Sequence, residues 1–285
     1  MGKILVGTCN WIDHEGFYPK GVKPAARISY YAQYFPIVEV DSTFYTLQPQ
    51  RNFKVWCERT PPGFAFNVKA YRELTKHERT EDGKLAEPSA DAFEKFSYSL
   101  QPMRECGKLR AILFQFPPWF HDNEENREYI QTCQEFFPDD QLAVEFRHRS
   151  WLTEDNRAAT FQFLADAGLT YVMVDEPQVG GGSIPLVPAV TNPALAIFRL
   201  HGRNVRTWYK KGLPSSGQRF KYLYSRAELG ELVPEIEEVA RQAREVHVLM
   251  NNNYGNYAVI NARDVMDLLG QEVSLPPLQP TMDMP

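Results

Sequence analysis

Eight short apolar runs recur along the chain, with segments of helical period between most of them. This alternation limits the fold more than any other feature. The runs lie at residues 4–8, 37–41, 65–69, 111–115, 142–147, 171–175, 196–201 and 246–251, and their β-branched and aromatic content reads as strand. Apolar residues at helical spacing occupy 25–34, 53–59, 90–106, 125–136, 154–167, 226–244 and 257–269. Ser225 with Glu228 makes a capping-box pattern at one helix start, and Gly168 and Gly270 stand where helices commonly end. Strands joined through helices need right-handed crossovers and pair in parallel. Eight such units in 285 residues predict a single α/β domain over 1–285, a closed (β/α)8 TIM-like barrel of parallel strands. An open doubly wound sheet is the competing arrangement, but no Gly-x-Gly-x-x-Gly follows the first strand, where residues 11–18 are aromatic.

The sixth unit is irregular. Residues 176–194 carry Gly180-Gly181-Gly182 and four prolines, which predict a loop in place of a helix. Residues 202–224, with Trp208, Tyr209, Lys210, Lys211 and Gly212, predict an elaborated loop on the same side of the barrel, and the Pro-rich 274–285 a C-terminal strap or frayed end.

Several of these strands hold charge where packing alone would place Val or Leu. They are Val38-Glu39-Val40-Asp41, Phe66-Asn67-Val68-Lys69, Val144-Glu145-Phe146-Arg147 and Ile197-Phe198-Arg199-Leu200-His201. Strand side chains alternate between faces, so Glu39 shares a face with Asp41, Glu145 with Arg147, and Arg199 with His201. An unpaired charge removed from water costs several kcal/mol, so these groups must pair, be solvated in a cavity or hold a ligand.

In barrel enzymes reactive groups project from the C-terminal strand ends. Glu39, Lys69, Glu145, Asp175 and His201 are therefore the candidate acid/base groups, with Trp11, Asp41, Tyr45, Gln115, Arg147, Arg199, Arg203, Asn251 and Asn252 as substrate-binding candidates. Planar guanidinium forks favour oxyanions, so Arg147, Arg199 and Arg203 predict an anion-binding pocket. Glu145, Asp175 and His201 are the set that would hold a metal, although the neighbouring cations oppose one and none is expected. His14, His77, His121, His148 and His247 show no ligand spacing and read as loop or helix-face residues.

Composition narrows the partners. With 43% hydrophobic and 24% charged residues, a net charge of -5 and no basic run, the chain gives a broad duplex-binding surface little support, while a local basic pocket stays compatible. No apolar stretch approaches the ~20 residues of a membrane span, and no signal-like segment precedes the first strand; a cytoplasmic protein without a membrane partner is expected, its oligomeric state open. Cys9, Cys57, Cys106 and Cys133 are scattered, which argues against a zinc knuckle or disulfide framework.

These motifs occur in a specific order: Gly7-Thr8 with Trp11 and Phe17-Tyr18-Pro19, Val38-Glu39-Val40 then Ser42-Thr43-Phe44-Tyr45, Phe66 to Lys69, Leu113-Phe114-Gln115-Phe116-Pro117-Pro118, Glu145-Phe146-Arg147 with Ser150-Trp151, Arg199-Leu200-His201-Gly202-Arg203, and Asn251-Asn252 with Gly255, Ala258, Asn261 and Ala262. Over almost the whole chain this order resembles the YecE-like family, a domain of unknown function (domain of unknown function 72). The resemblance implies a TIM barrel with a polar pocket at the strand C-terminal face and supplies no established reaction. The chain departs from the family pattern at Cys9-Asn10, where Ser-Gly is usual, at Asp41, where Asn is frequent, and at Thr75 and His77, a Thr-His pair here separated by Lys76. The leading expectation is an enzyme, a hydrolase, lyase or isomerase without a redox cofactor, acting by acid/base chemistry on a small anionic substrate, phosphorylated or sugar-like. A non-catalytic ligand-binding barrel and a metal-dependent phosphodiesterase or nuclease-like barrel are the alternatives.

Overall fold

The computed structural model describes residues 1–180, 183–213 and 215–272. Eight strands, β1 (Lys3–Cys9), β2 (Ile37–Val40), β3 (Ala65–Lys69), β4 (Leu109–Gln115), β5 (Leu142–Glu145), β6 (Thr170–Asp175), β7 (Leu195–Leu200) and β8 (Glu245–Met250), close in sequence order into one barrel. Every pairing is parallel, including the β1–β8 seam. The predicted (β/α)8 barrel is the fold.

Helices α1 (Arg27–Tyr31), α2 (Ser42–Tyr45), α3 (Gln50–Glu58), α4 (Ala90–Glu105), α5 (Glu124–Glu135), α6 (Arg157–Asp166), α7 (Arg226–Gln242) and α8 (Tyr257–Leu268) run between the strands and after the last. Both members of the Ser225–Glu228 capping box are formed at α7, and Gly168 and Gly270 take positive φ after α6 and α8. No helix forms among the described residues between β6 and β7, as the glycines and prolines there predict, although Gly181 and Gly182 lie outside the described residues. Residues 274–285 also lie outside them. No helix among the described residues is long and apolar enough to cross a membrane.

Apolar burial between the strands and the helical shell fixes the frame. Trp151 is fully buried, stacks 4.1 Å from Phe146 and donates Nε1–H to Phe120 O at 2.8 Å. One expectation about the cysteines is corrected: Cys57 of α3 and Cys106, the C-cap of α4, form a disulfide, while Cys9 and Cys133 are free and buried. The two are 49 residues apart in sequence and are brought together only by the side-by-side packing of α3 and α4.

The register fixes which side chains enter the barrel. Across the strands the Cα partners Cys9–Glu39–Asn67–Ala111, then Leu113–Ala143 and Gln115–Glu145, lie side by side and therefore share a face. Arg199 pairs with Val174 on one side and Leu249 on the other. Gly202, at φ +84, makes the turn that follows His201; a Cβ there would sit 2.7 Å from Tyr222 Cβ, so no other residue fits without movement.

Candidate functional site

The inward faces of β2, β5 and β7 meet in a buried network of alternating charge. Arg199, wholly buried, gives Nη2 to Glu39 Oε1 at 2.5 Å and Nη1 to Glu145 Oε2. Glu145 Oε1 accepts from Arg147 Nε at 2.5 Å, and Arg147 Nη1 donates to Glu176 Oε2 at 2.7 Å. Arg147 Nη2 lies 2.9 Å from His201 Nε2, and the Asn251 amide 2.6 Å from His201 Nδ1. On the β2–β3 side, Lys69 Nζ stands 3.8 Å from Asp41 Oδ1 and 4.5 Å from the centre of the Phe44 ring.

This arrangement separates the titrating groups. Burial alone would raise the Glu145 pKa, but Arg147 and Arg199 pull it well below the ordinary carboxylate range. Burial pushes Glu39 up to about 7 against the pull of Arg199, and Asp41 adds to the rise. Glu176 is likewise pushed to about 7 by burial, with Arg147 opposing. His201 drops to about 3, first through burial and then through Arg147, so it is neutral.

Above the network lies a cleft of about 660 Å³. Its polar lining includes Asp41, Lys69, His77, Gln115, Arg147, Glu176, Lys211, Arg219 and Asn251; Tyr45, Phe44, Trp119, Trp208, Tyr209 and Phe220 supply aromatic surface. Of the residues expected from sequence, Asp41, Tyr45, Lys69, Gln115, Arg147 and Asn251 line this cleft, and Glu39, Glu145, Arg199 and His201 are fully buried in the network beneath.

Four expected residues are elsewhere. Asp175 lies on the outward face of β6, where it holds Arg203 Nε and Nη2 at 3.0–3.1 Å and accepts from the Tyr224 hydroxyl. Arg203 is thus committed to Asp175 and is not an anion fork in the cleft. Trp11 turns away after Asn10, whose φ is +85, and packs edge-on against Trp56 of α3 at 5.3 Å. Asn252 faces α8 and donates to Asn261 Oδ1 at 2.8 Å. The anion-binding expectation shifts accordingly: Arg199 has no exposed atom to offer, and the cations of the cleft wall are Lys69, Arg147, Lys211 and Arg219.

The three residues that would hold a metal if one were bound do not come together. His201 Nε2 is 3.4 Å from Glu145 Oε1, but Asp175 is turned to Arg203, and no three His, Cys, Asp or Glu side chains among the described residues converge as ligands.

Of the cleft residues not expected from sequence, two stand out for their titration. Glu176 follows the outward Asp175 and so points inward; its other oxygen accepts from Ile184 N at 3.0 Å. His77, expected as an ordinary loop residue, lines the cleft and is lowered to about 3 by burial and by Lys69 and Arg72. Thr75 Oγ1 lies 2.8 Å from His77 Nδ1 in spite of the intervening Lys76, which adopts φ +55 and so brings the two side chains together. The Thr-His pattern was the available signal.

Comparison with known proteins agrees with this architecture along the whole chain. The family described as "Protein of unknown function DUF72" matches residues 5–284. The UPF0759 protein YunF of Bacillus subtilis (strain 168) is 38% identical over 279 residues, which cover 95% of this chain and 96% of that protein. A crystal structure of a DUF72 family protein from Enterococcus faecalis V583 matches with a TM-score of 0.86 at 30% identity, covering 98% of this chain and 100% of the other. One from Thermotoga maritima MSB8 matches at 0.79 and 34% identity, covering 94% and 100%.

Proposed function

The chain belongs to the DUF72 family of proteins of unknown function, so its chemistry has to be read from its own residues, and we propose that it is an enzyme performing acid/base chemistry on a small anionic substrate, phosphorylated or sugar-like. The observation that carries this reading is Glu176. It is a nearly buried carboxyl on the cleft wall, pushed by burial to about 7 and oriented by Arg147 and the Ile184 amide. A group that titrates near the working pH exchanges protons in both directions with the least loss of driving force.

The rest of the cleft supports the substrate class. Its charged lining is Lys69, Arg147, Lys211 and Arg219 against Asp13, Asp41 and Glu176, four cations to three acids in a chain of net charge -5. Lys69 Nζ makes no hydrogen bond to a described residue and has donors to give an oxyanion. Trp119 and Tyr209, 41% and 50% exposed, offer ring faces on which a sugar can stack.

The test is a thermal-shift panel of phosphorylated and carboxylated metabolites and neutral sugars, followed by NMR of each stabilising compound incubated with the protein. Millimolar stabilisation by anionic compounds, weakened in Lys69→Met, and turnover lost in Glu176→Gln are expected. Compounds that stabilise but are never altered make the protein a ligand-binding barrel. A panel without any shift removes the anionic-substrate reading.

A further inference from the structure

The linked charges of the buried network and of the cleft floor above it do not balance as they stand. Glu39, Asp41, Glu145 and Glu176 give four carboxyls and Lys69, Arg147 and Arg199 three cations, all linked through contacts of 3.9 Å or less. A net charge in so buried a cluster is costly, and one added proton removes it.

Atoms without partners show where that proton belongs. Glu145 accepts a guanidinium at each oxygen. Glu176 accepts Arg147 at one oxygen and the Ile184 amide at the other. Asp41 Oδ1 lacks a hydrogen bond but has Lys69 and Arg199 on two sides, at 3.8 and 3.9 Å. Glu39 is different. Its Oε1 accepts from Arg199, while its Oε2 is buried and accepts from no N–H or O–H group; a weak S–H from Cys9 reaches this carboxyl. On β3, in register with Glu39, Asn67 Oδ1 is buried and equally without a donor. The two side chains stand on neighbouring strands and the same face, so a hydrogen on Glu39 Oε2 would give both atoms a partner, a carboxylic O–H donating and an amide oxygen accepting.

We propose that Glu39 is a neutral carboxylic acid in the resting protein, donating its Oε2–H to Asn67 Oδ1, which leaves Glu176 as the carboxyl of the cleft that takes up and gives back a proton. Each element around Glu39 bears on this. Cys9 of β1 is a buried thiol whose own pKa is raised by burial and by Glu39; Asp41, just past β2, opposes a second negative charge; Lys69 of β3 and Arg199 of β7 favour one. Burial outweighs the two cations, consistent with the rise to about 7. With Glu39 neutral, the chain Arg199–Glu145–Arg147–Glu176 holds two cations and two anions. Glu39 does not line the cleft and is a positioning residue: it lets Arg199 give its charge to Glu145 instead of sharing it. Only the role given to Glu176 rests on the acid/base reading above; the protonation state is a property of the protein without substrate.

Infrared spectroscopy reads it directly. The wild-type protein at pH 6 is expected to show protonated-carboxyl C=O absorption with one component that is lost in Glu39→Gln, kept in Glu176→Gln and moved to higher wavenumber in Asn67→Leu, where its hydrogen bond is lost; any component left in Glu39→Gln belongs to Glu176. Absence of such absorption in wild type, or absorption that Glu39→Gln leaves whole, overturns the assignment. Gln copies the neutral acid, its carbonyl accepting from Arg199 and its amide donating to Asn67. A Glu39→Gln chain that fails to fold, or melts far below wild type, therefore also overturns it. Failure of the function proposed above would leave all of these readings unchanged.

Discussion

Replacing Glu145 by Gln tests the network at its centre. The wild-type carboxylate accepts from Arg147 and Arg199 with one oxygen each, and neither it nor Arg199 has exposed surface. Gln keeps the volume but removes the charge, and its NH2 group must face one of the two guanidiniums, donor against donor. Breaking a buried ion pair by removing one partner costs about 3–5 kcal/mol. At roughly 2.1 cal/mol/K of unfolding entropy per residue, a chain of this length has about 0.6 kcal/mol/K, so the loss corresponds to a fall in melting temperature of about 5–8 °C. The pH dependence follows from the sign of the shift. Because the folded pKa lies below the unfolded one, the stabilisation is complete above the unfolded carboxyl pKa and is lost only as pH falls through the folded value. Calorimetry of both proteins should therefore show a gap that is constant from pH 8 to about 5.5 and narrows only in stronger acid. A variant melting within a degree or two of wild type at pH 7 would refute the argument that two buried arginines depend on this one carboxylate.

The other expectations are simpler. Glu39, with folded pKa about 7 against an unfolded value near 4.5, binds its proton more tightly when folded, so stability falls as pH rises through that window, by roughly 3 kcal/mol in all; relative to wild type, Glu39→Gln should gain stability between pH 4.5 and 7.5, and two parallel pH profiles would contradict this. Asp175→Asn should weaken the Arg203 and Tyr224 contacts by about 1.5–3 kcal/mol yet leave affinity for any cleft ligand within about twofold; loss of affinity at unchanged melting temperature would place Asp175 in the site after all. Thiol titration in denaturant without reductant should count two cysteines, Cys9 and Cys133, and a count of four would remove the Cys57–Cys106 bond.

What could be read from the sequence follows from where polarity alternates. β3 was legible to the residue, Ala65–Lys69, and the inward sets of β5 and β7 were visible because Glu145 and Arg199 interrupt apolar neighbours and fix which face is which. β6 gives no such mark. All six residues of Thr170–Asp175 are buried, on the barrel side and the helix side alike, so neither face of the run announces itself. Its parity comes only from its neighbour: Val174 lies beside Arg199 and Val172 beside Ile197, which sends Val172, Val174 and Glu176 inward and Asp175 out. The same reasoning separates Asn251 from Asn252, since His247 and Leu249 pair with Ile197 and Arg199. The rim was legible only as a loop: residues 202–224 were expected on this side of the barrel, but not which of their side chains face the cleft. Trp119, Trp208, Tyr209 and Lys211 stand on irregular segments with no period, Arg219 on a single short 3-10 turn, and Trp11 is carried off by the positive φ at Asn10. In a closed barrel, however, each strand's face is fixed by the next strand's register. One strand whose face is known, here β7 through Arg199, therefore settles the others around the ring, and the choice of Glu176 over Asp175 follows from pairing alone.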